Sequence, residues 1–206
     1  MATDASRVTY TPAEYLARER VAETKSEYLN GEIVAMTGAS RRHNLIAGNL
    51  YREVSGQLRT GPCESYVGDM RVRVSATGLY TYPDVVVACP PIDFEDAEAD
   101  TLLNPVVIVE VLSPSTEAYD RGAKFRQFRR LESLREYVLV AQDAARIERY
   151  VRQGDLWVLS DVSGLDAALT LEAIGCTVSL ADIYDKVRPL GDGQPTFTEA
   201  EPPPTG

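Results

Sequence analysis

A mixed α/β (α+β) fold, a central sheet with helices packed on it, is the class this sequence predicts. Three observations carry the prediction. Two apolar runs of strand length, Val85-Val86-Val87 and Val106-Val107-Ile108-Val109, lie about a strand and a loop apart. A helical stretch, Glu117 to Leu134, separates the second run from a third, Tyr137 to Ala141. A helical crossover between neighbouring strands makes them parallel. Finally, Asn30-Gly31 sits between two short strand-like segments, and Asn-Gly is the strongest short-range hairpin signal.

The remaining elements follow in order. Residues 1–10 read as a loose tail. Thr11-Pro12-Ala13-Glu14 starts a helix to about Val21: threonine caps, proline suits the first helical position and glutamate completes a capping box. The hairpin spans Glu27 to Met36. Ser40 caps a second helix whose apolar positions Ile46, Leu50, Val54 and Leu58 recur every four residues, and Gly61-Pro62 ends it. Val67 to Val74 reads as one strand and Tyr82 to Cys89 as the first central one. Pro90 to Leu103 is an acidic surface connection, and Val106 to Leu112 is the second central strand. In the helix from Glu117, Phe125, Phe128 and Leu131 share a face. Arg146 to Arg152 and Leu156 to Leu159 pair around Gln153-Gly154-Asp155. Leu169 to Ile174 and Cys176 to Val178 add strands, and Leu180 to Val187 is a closing helix. From residue 189 onward proline, glycine, threonine and glutamate dominate, the composition of a disordered tail. The reading is thus a single domain over 11–188 between two tails.

With 206 residues, the chain can bury one substantial core. No apolar stretch approaches the ~20 residues needed to span a bilayer, and no secretory signal opens the sequence. A cytoplasmic protein with no membrane partner is expected. Three cysteines, Cys63, Cys89 and Cys176, are widely separated and include no CxxC, so reduced, buried thiols are expected rather than a disulfide framework or a zinc site. The net charge of -10 argues against broad, non-specific nucleic-acid affinity, though not against a local basic surface. Acid gathers at Asp93, Glu95, Asp96, Glu98 and Asp100, and base at Arg121, Lys124, Arg126, Arg129, Arg130 and Arg135.

Asp84 opens the first central strand and Glu110 lies at the end of the second. A buried, unpaired carboxylate is costly, and two sited together are most simply explained by a shared hard cation such as Mg2+ or Mn2+. Phosphodiester hydrolysis needs such a metal, an activated water and a cation near the developing negative charge. Asp84 and Glu110 are therefore the candidate metal ligands and Lys124 the candidate catalytic cation. Glu27 or Glu32 is the candidate third acid. His43, Glu32 and Asp69 are candidates for the surrounding layer. Asp120 and Arg121 read as a local ion pair at a helix start. Arg121, Arg126, Arg129 and Arg130 are candidates for tracking a phosphate backbone. The plain alternatives are strand-end surface acids and a solvated helix lysine.

The order of these motifs resembles a known family. Tyr82-Pro83-Asp84-Val85-Val86-Val87, Val109-Glu110-Val111-Leu112-Ser113-Pro114-Ser115-Thr116, Asp120-Arg121-Gly122-Ala123-Lys124 and Glu136-Tyr137-Val138-Leu139-Val140 look like the Uma2 family. So does the opening segment Glu27 to Val34 with Ser40 and His43. This bacterial group is restriction-endonuclease-like and lies within the PD-(D/E)xK nuclease superfamily. The resemblance covers roughly residues 11 to 187. It implies a restriction-endonuclease-like mixed core with extra β-hairpins, Asp84 as the PD aspartate and Glu110 as the second acid. It also implies a divalent-metal-dependent endonuclease acting on DNA. Many such nucleases are dimers, so a homodimer through the apolar hairpin at 147–159 is a candidate assembly. One departure stands out. The superfamily lysine lies two residues after the second acid, where this chain has Leu112, and Lys124 resembles a displaced lysine. The alternative is a weak or inactive nuclease-fold protein that binds nucleic acid or protein as a dimeric module. Hydrolysis of RNA or a nucleotide is a third reading.

Overall fold

The computed structural model describes residues 8–187. The chain runs through helix α1 (Pro12–Glu19), strands β1 (Ser26–Leu29) and β2 (Glu32–Ala35), and helix α2 (Arg41–Leu58). Strands β3 (Glu64–Val67), β4 (Arg71–Val74), β5 (Leu79–Thr81), β6 (Val85–Ala88), β7 (Thr101–Leu102) and β8 (Val107–Val111) follow. Helix α3 (Glu117–Tyr119) winds through a π turn (Asp120–Lys124) into α4 (Phe125–Phe128). Strands β9 (Glu136–Val140), β10 (Arg146–Gln153), β11 (Leu156–Ser163), β12 (Ala168–Leu171) and β13 (Cys176–Ser179) lead to α5 (Leu180–Ile183).

A six-stranded mixed sheet, ordered β11-β10-β9-β8-β6-β3, forms the centre. Its β8–β9 pair is parallel, as a helical crossover requires, while β6–β8 and β9–β10 are antiparallel. Alternate residues of each strand face opposite sides. Val85, Val87, Val107, Val109, Val138 and Val140 pack against Ile46, Leu50 and Val54 of α2 and against the β12–β13 ribbon. Val86, Ala88, Ile108, Leu112, Tyr137 and Leu139 pack against Phe125 and Phe128. That second side also meets Val72, Val74 and Leu79 of a five-stranded sheet, ordered β2-β1-β5-β4-β7. The β1–β2 hairpin turns at Asn30 (φ 52°) and Gly31 (φ 89°), the left-handed geometry that Asn-Gly adopts readily. No helix among the described residues is long and apolar enough to cross a membrane.

Several expectations need correction. The tail predicted over 1–10 is held at its inner end: Tyr10 N–H donates to Gly31 O at 2.9 Å, and the Tyr28 hydroxyl donates to Tyr10 O at 2.9 Å. Residues 1–7 and the tail predicted from 189 lie outside the described residues. The strand predicted over 67–74 is two strands in different sheets, parted at Gly68 (φ 68°), a left-handed turn that single-strand periodicity does not register. The helix predicted to reach Leu134 ends near Phe128. Beyond it the chain is in turns, where the Arg152 guanidinium accepts the role of a partner strandless carbonyls need, donating to the oxygens of Arg129, Leu131 and Leu134 at 2.9, 2.7 and 2.8 Å. The cysteine expectation is overturned as well. Cys63 and Cys89 form a disulfide, while Cys176 is free and buried. The β3–β6 register pairs Glu64 with Ala88, so its next step sets the two cysteines opposite each other. Sequence separation alone carries no trace of that pairing.

The acidic connection is also tied down more firmly than a surface loop. Thr101 and Leu102 of β7 are buried and pair in parallel with β4. Asp100 is gripped by Arg20 (2.9 and 3.0 Å) and by the buried Arg71 (2.8 Å), which also donates to Thr101 Oγ1 and the Tyr82 hydroxyl. Those bonds, Arg20 foremost, hold the Asp100 carboxyl well below the usual carboxylate range. A depressed folded-state value contributes stability above the unfolded value of ~3.9 that is lost as pH falls further. Wild type is therefore expected to lose stability below about pH 4 more steeply than Asp100→Asn. Urea midpoints measured across pH 2–6 check this, and parallel curves would refute it.

Candidate functional site

Asp84 precedes β6, and Glu110 is the fourth residue of β8. The β6–β8 register pairs Val85 with Val109, so its next step places Asp84 opposite Glu110. By strand alternation both project to the side that carries Phe125 and Tyr137. Asp84 is oriented twice: the Val111 amide donates to Oδ2 at 2.7 Å, and His43 Nε2 lies 2.8 Å from Oδ1. A carboxylate can only accept, so the proton of that contact sits on Nε2. His43 occupies the first turn of α2, whose cap Ser40 accepts from the His43 amide. Gln142 binds this turn to the sheet. Its side chain donates to Leu112 O at 2.7 Å and accepts from Ser40 Oγ at 2.9 Å, and its carbonyl accepts from Arg42.

Glu110 is nearly sealed from solvent, and so is Lys124, which reaches it from the π turn. The ammonium lies 2.8 Å from Glu110 Oε1, 3.3 Å from Glu27 Oε1 and 3.8 Å from Asp120 Oδ1. Glu27 arrives from β1 of the other sheet and accepts hydroxyl bonds from Thr81 and, at 3.0 Å, from Tyr119. Four carboxylates therefore face one ammonium and one imidazole. Burial pushes the Glu110 carboxyl well above the usual range, more than Lys124 pulls it down, and Asp120 and Asp84 add to the push. Burial likewise raises Asp120 against the pull of Lys124. Burial opposes the Lys124 charge too, but Glu110, Glu27 and Asp120 together hold it above the ordinary lysine value. One ammonium shared among three acids leaves the two buried ones, Glu110 and Asp120, under-compensated, Glu110 the more so.

The structure thus brings together Asp84, Glu110, Lys124, Glu27 and His43. It also corrects the reading of Asp120 and Arg121, which are not partners. Asp120 turns in toward Lys124, one helical turn on, while Arg121 pairs with Glu117 at 2.8 Å and with Glu148. The i,i+4 spacing of Asp120 and Lys124 was the available signal. Tyr119 and Thr81 left none. Asp69 lies in the turn between β3 and β4 rather than on a strand, with its side chain exposed and paired to Lys25 at 3.0 Å. Glu32 starts β2, opposite Leu29. Arg126, Arg129 and Arg130 are exposed, with the Arg129 guanidinium over the Phe125 ring. Leu112, in the position of the superfamily lysine, is buried in the apolar cluster with Phe125 and Phe128. Core packing holds that place, and the ammonium comes from the π turn instead.

Among the described residues no three His, Cys, Asp or Glu side chains converge into a ready-made metal cage. Two carboxylates completed by water are nonetheless a common way to hold Mg2+. Two observations fit such an ion. Glu110 Oε1 is shielded from solvent without a well-aligned hydrogen bond, and the pocket carries more acid than base. Asp84 and Glu110 are the residues that would hold it.

Comparison with known proteins bears on the family and the fold. A family model described as "Uma2: Putative restriction endonuclease" matches residues 12–181. A Synechocystis sp. protein named "Uncharacterized protein sll1609" is 37% identical over 160 residues, covering 77% of this chain and 90% of its own. A second from the same organism, "Uncharacterized protein slr1290", is 38% identical over 175 residues, covering 84% and 90%. A solved structure from Anabaena variabilis, titled "a putative nuclease belonging to DUF820", superimposes with a TM-score of 0.71 at 17% identity, covering 87% of this chain and 99% of that one. At that identity the likeness establishes a shared nuclease-like fold. Since the family model spans most of its length, this chain belongs to the Uma2 family.

Proposed function

We propose that this protein is a divalent-metal-dependent endonuclease that hydrolyses DNA phosphodiester bonds. The observation that carries the reading is Asp84 opposite Glu110, with a buried, under-compensated carboxylate facing the Lys124 ammonium. When bound, Mg2+ or Mn2+ would polarise the phosphate and make its water more acidic. The chain's own residues supply the rest. Asp84 and Glu110 present oxygen donors, and the Val111 amide and His43 fix the Asp84 carboxylate in one orientation. Lys124 offers a fixed positive charge toward a phosphorane-like transition state without first shedding water. The exposed Arg126, Arg129 and Arg130 are suited to backbone phosphates, whereas Arg121 is committed to two glutamates.

The rival reading, a non-catalytic binding module, draws on Leu112. Its force is lessened because Lys124 reaches Glu110 by another route. Calorimetric titration of Mg2+ and Mn2+ into wild type and Asp84→Ala/Glu110→Ala is the test, followed by cleavage of supercoiled, linear and single-stranded DNA and of RNA. Binding and metal-stimulated cleavage are expected in wild type and lost in the double variant. Full cleavage by a folded double variant would sink the proposal. A wild type that binds DNA but neither metal nor cuts would favour the module.

A further inference from the structure

Glu27 and Glu110 touch the same ammonium but sit in opposite circumstances. Glu27 already receives the Thr81 hydroxyl, the Tyr119 hydroxyl at 3.0 Å and the Lys124 ammonium at 3.3 Å, spread over both its oxygens. Glu110 has the ammonium nearer, 2.8 Å from Oε1, but among the described residues that buried oxygen has no well-aligned hydrogen bond and no hydroxyl donor. A carboxylate filled with donors is anchored where it stands, and a cation replacing those donors would orphan two hydroxyls. Thr81 is wholly buried, and Tyr119 stands five residues before Lys124 on the same helical segment. The two hydroxyls thus join the second sheet to the end of α3, just ahead of the π turn, through a single carboxylate.

We propose that Tyr119 and Thr81 are positioning residues that fix Glu27 as the seat of the Lys124 ammonium, leaving Asp84 and Glu110 to hold the metal. The metal part rests on the nuclease reading above; the seating of Lys124 does not. The π turn fits this role. Its wider i,i+5 winding brings Tyr119 and Lys124, five residues apart, to the same side, where both reach Glu27. Glu27 then serves as an outer partner that aims the lysine, not as the third metal ligand the sequence proposes.

The test uses the full chain with two independent readings. The first, in metal-free protein, is the NMR signal of the Lys124 15Nζ ammonium, assigned by its loss in Lys124→Met. A seated ammonium gives a resolved, slowly exchanging signal. Tyr119→Phe and Thr81→Val are expected to shift it and speed its exchange by about tenfold, as expected when one bond of a shared site is lost. Thr81→Ser is expected to restore it. The second is Mn2+ affinity by calorimetry. Tyr119→Phe, which keeps every charge, is expected to stay within about threefold of wild type. Glu27→Gln should weaken binding by about tenfold, the lower end for an outer carboxylate, and Glu110→Gln by more than about a hundredfold. An unchanged ammonium signal in folded Tyr119→Phe and Thr81→Val would overturn the proposal. So would a Glu27→Gln loss equal to that of Glu110→Gln. If wild type binds no Mn2+, the nuclease reading fails and the ammonium signal alone decides the seating.

Discussion

A Lys124→Met protein is expected to lose about 3–5 kcal/mol of stability in the absence of divalent cations, the usual cost of removing one partner from a buried charge cluster. Methionine keeps most of the side-chain volume among Phe128 and Tyr119, so the loss reflects charge more than packing. Glu110, Glu27 and Asp120 would be left with no ammonium, two of the three being buried. Arg126→Met, exposed on the same helical segment, is the control and should change stability by less than about 0.5 kcal/mol. Urea unfolding with a chelator present measures both, at unchanged denaturant slope. Adding Mg2+ should recover part of the loss, since a ligand held by the folded state alone stabilises it. Cleavage should not recover, because the ion cannot replace a fixed ammonium beside the phosphate. A Lys124→Met protein within about 1 kcal/mol of wild type would mean that Lys124 is not the group balancing these acids.

The central strands, the parallel β8–β9 pair and both helix caps are legible in the sequence because each is a local pattern. Runs of Val85–Val87 and Val107–Val109 demand burial on two faces, and Thr11 and Ser40 show their caps three residues ahead. Asp84 and Glu110 are legible because acids beside such runs contradict them. What escapes is whatever depends on strands and helices distant in the chain meeting. Thr81 and Tyr119 reach Glu27 from β5 and from α3, and no spacing joins residues 27, 81 and 119. The π turn is itself invisible to a 3.6-residue period, whereas the i,i+4 spacing of Asp120 and Lys124 is visible but says nothing of which side is buried. The same blindness hid the Cys63–Cys89 bond and split the expected strand at Gly68. Local chemistry names the donors; strand register decides which of them meet.

Glu110→Gln is expected to separate function from stability in the opposite sense to Lys124→Met. The amide keeps the shape and an oxygen toward Lys124, but it removes a charge that burial opposes. Lys124 retains Glu27 and Asp120, so no ammonium is stranded. Stability should therefore hold within about 1 kcal/mol of wild type or rise, as functional sites commonly trade stability for activity. Metal affinity should collapse, and cleavage should fall by about 10^3-fold or more, which corresponds to ~4 kcal/mol of lost transition-state stabilisation. Thermal midpoints, calorimetry and cleavage rates on the same preparations decide it. A Glu110→Gln loss of stability as large as that of Lys124→Met would identify a structural ion pair, in which each charge exists to satisfy the other. Equal or greater stability with lost metal binding would mean that the acid is maintained, at a cost to the fold, for a cation from outside. The surplus of carboxylates over cations around Lys124 favours the second outcome, because a pair built only for stability would balance its charges.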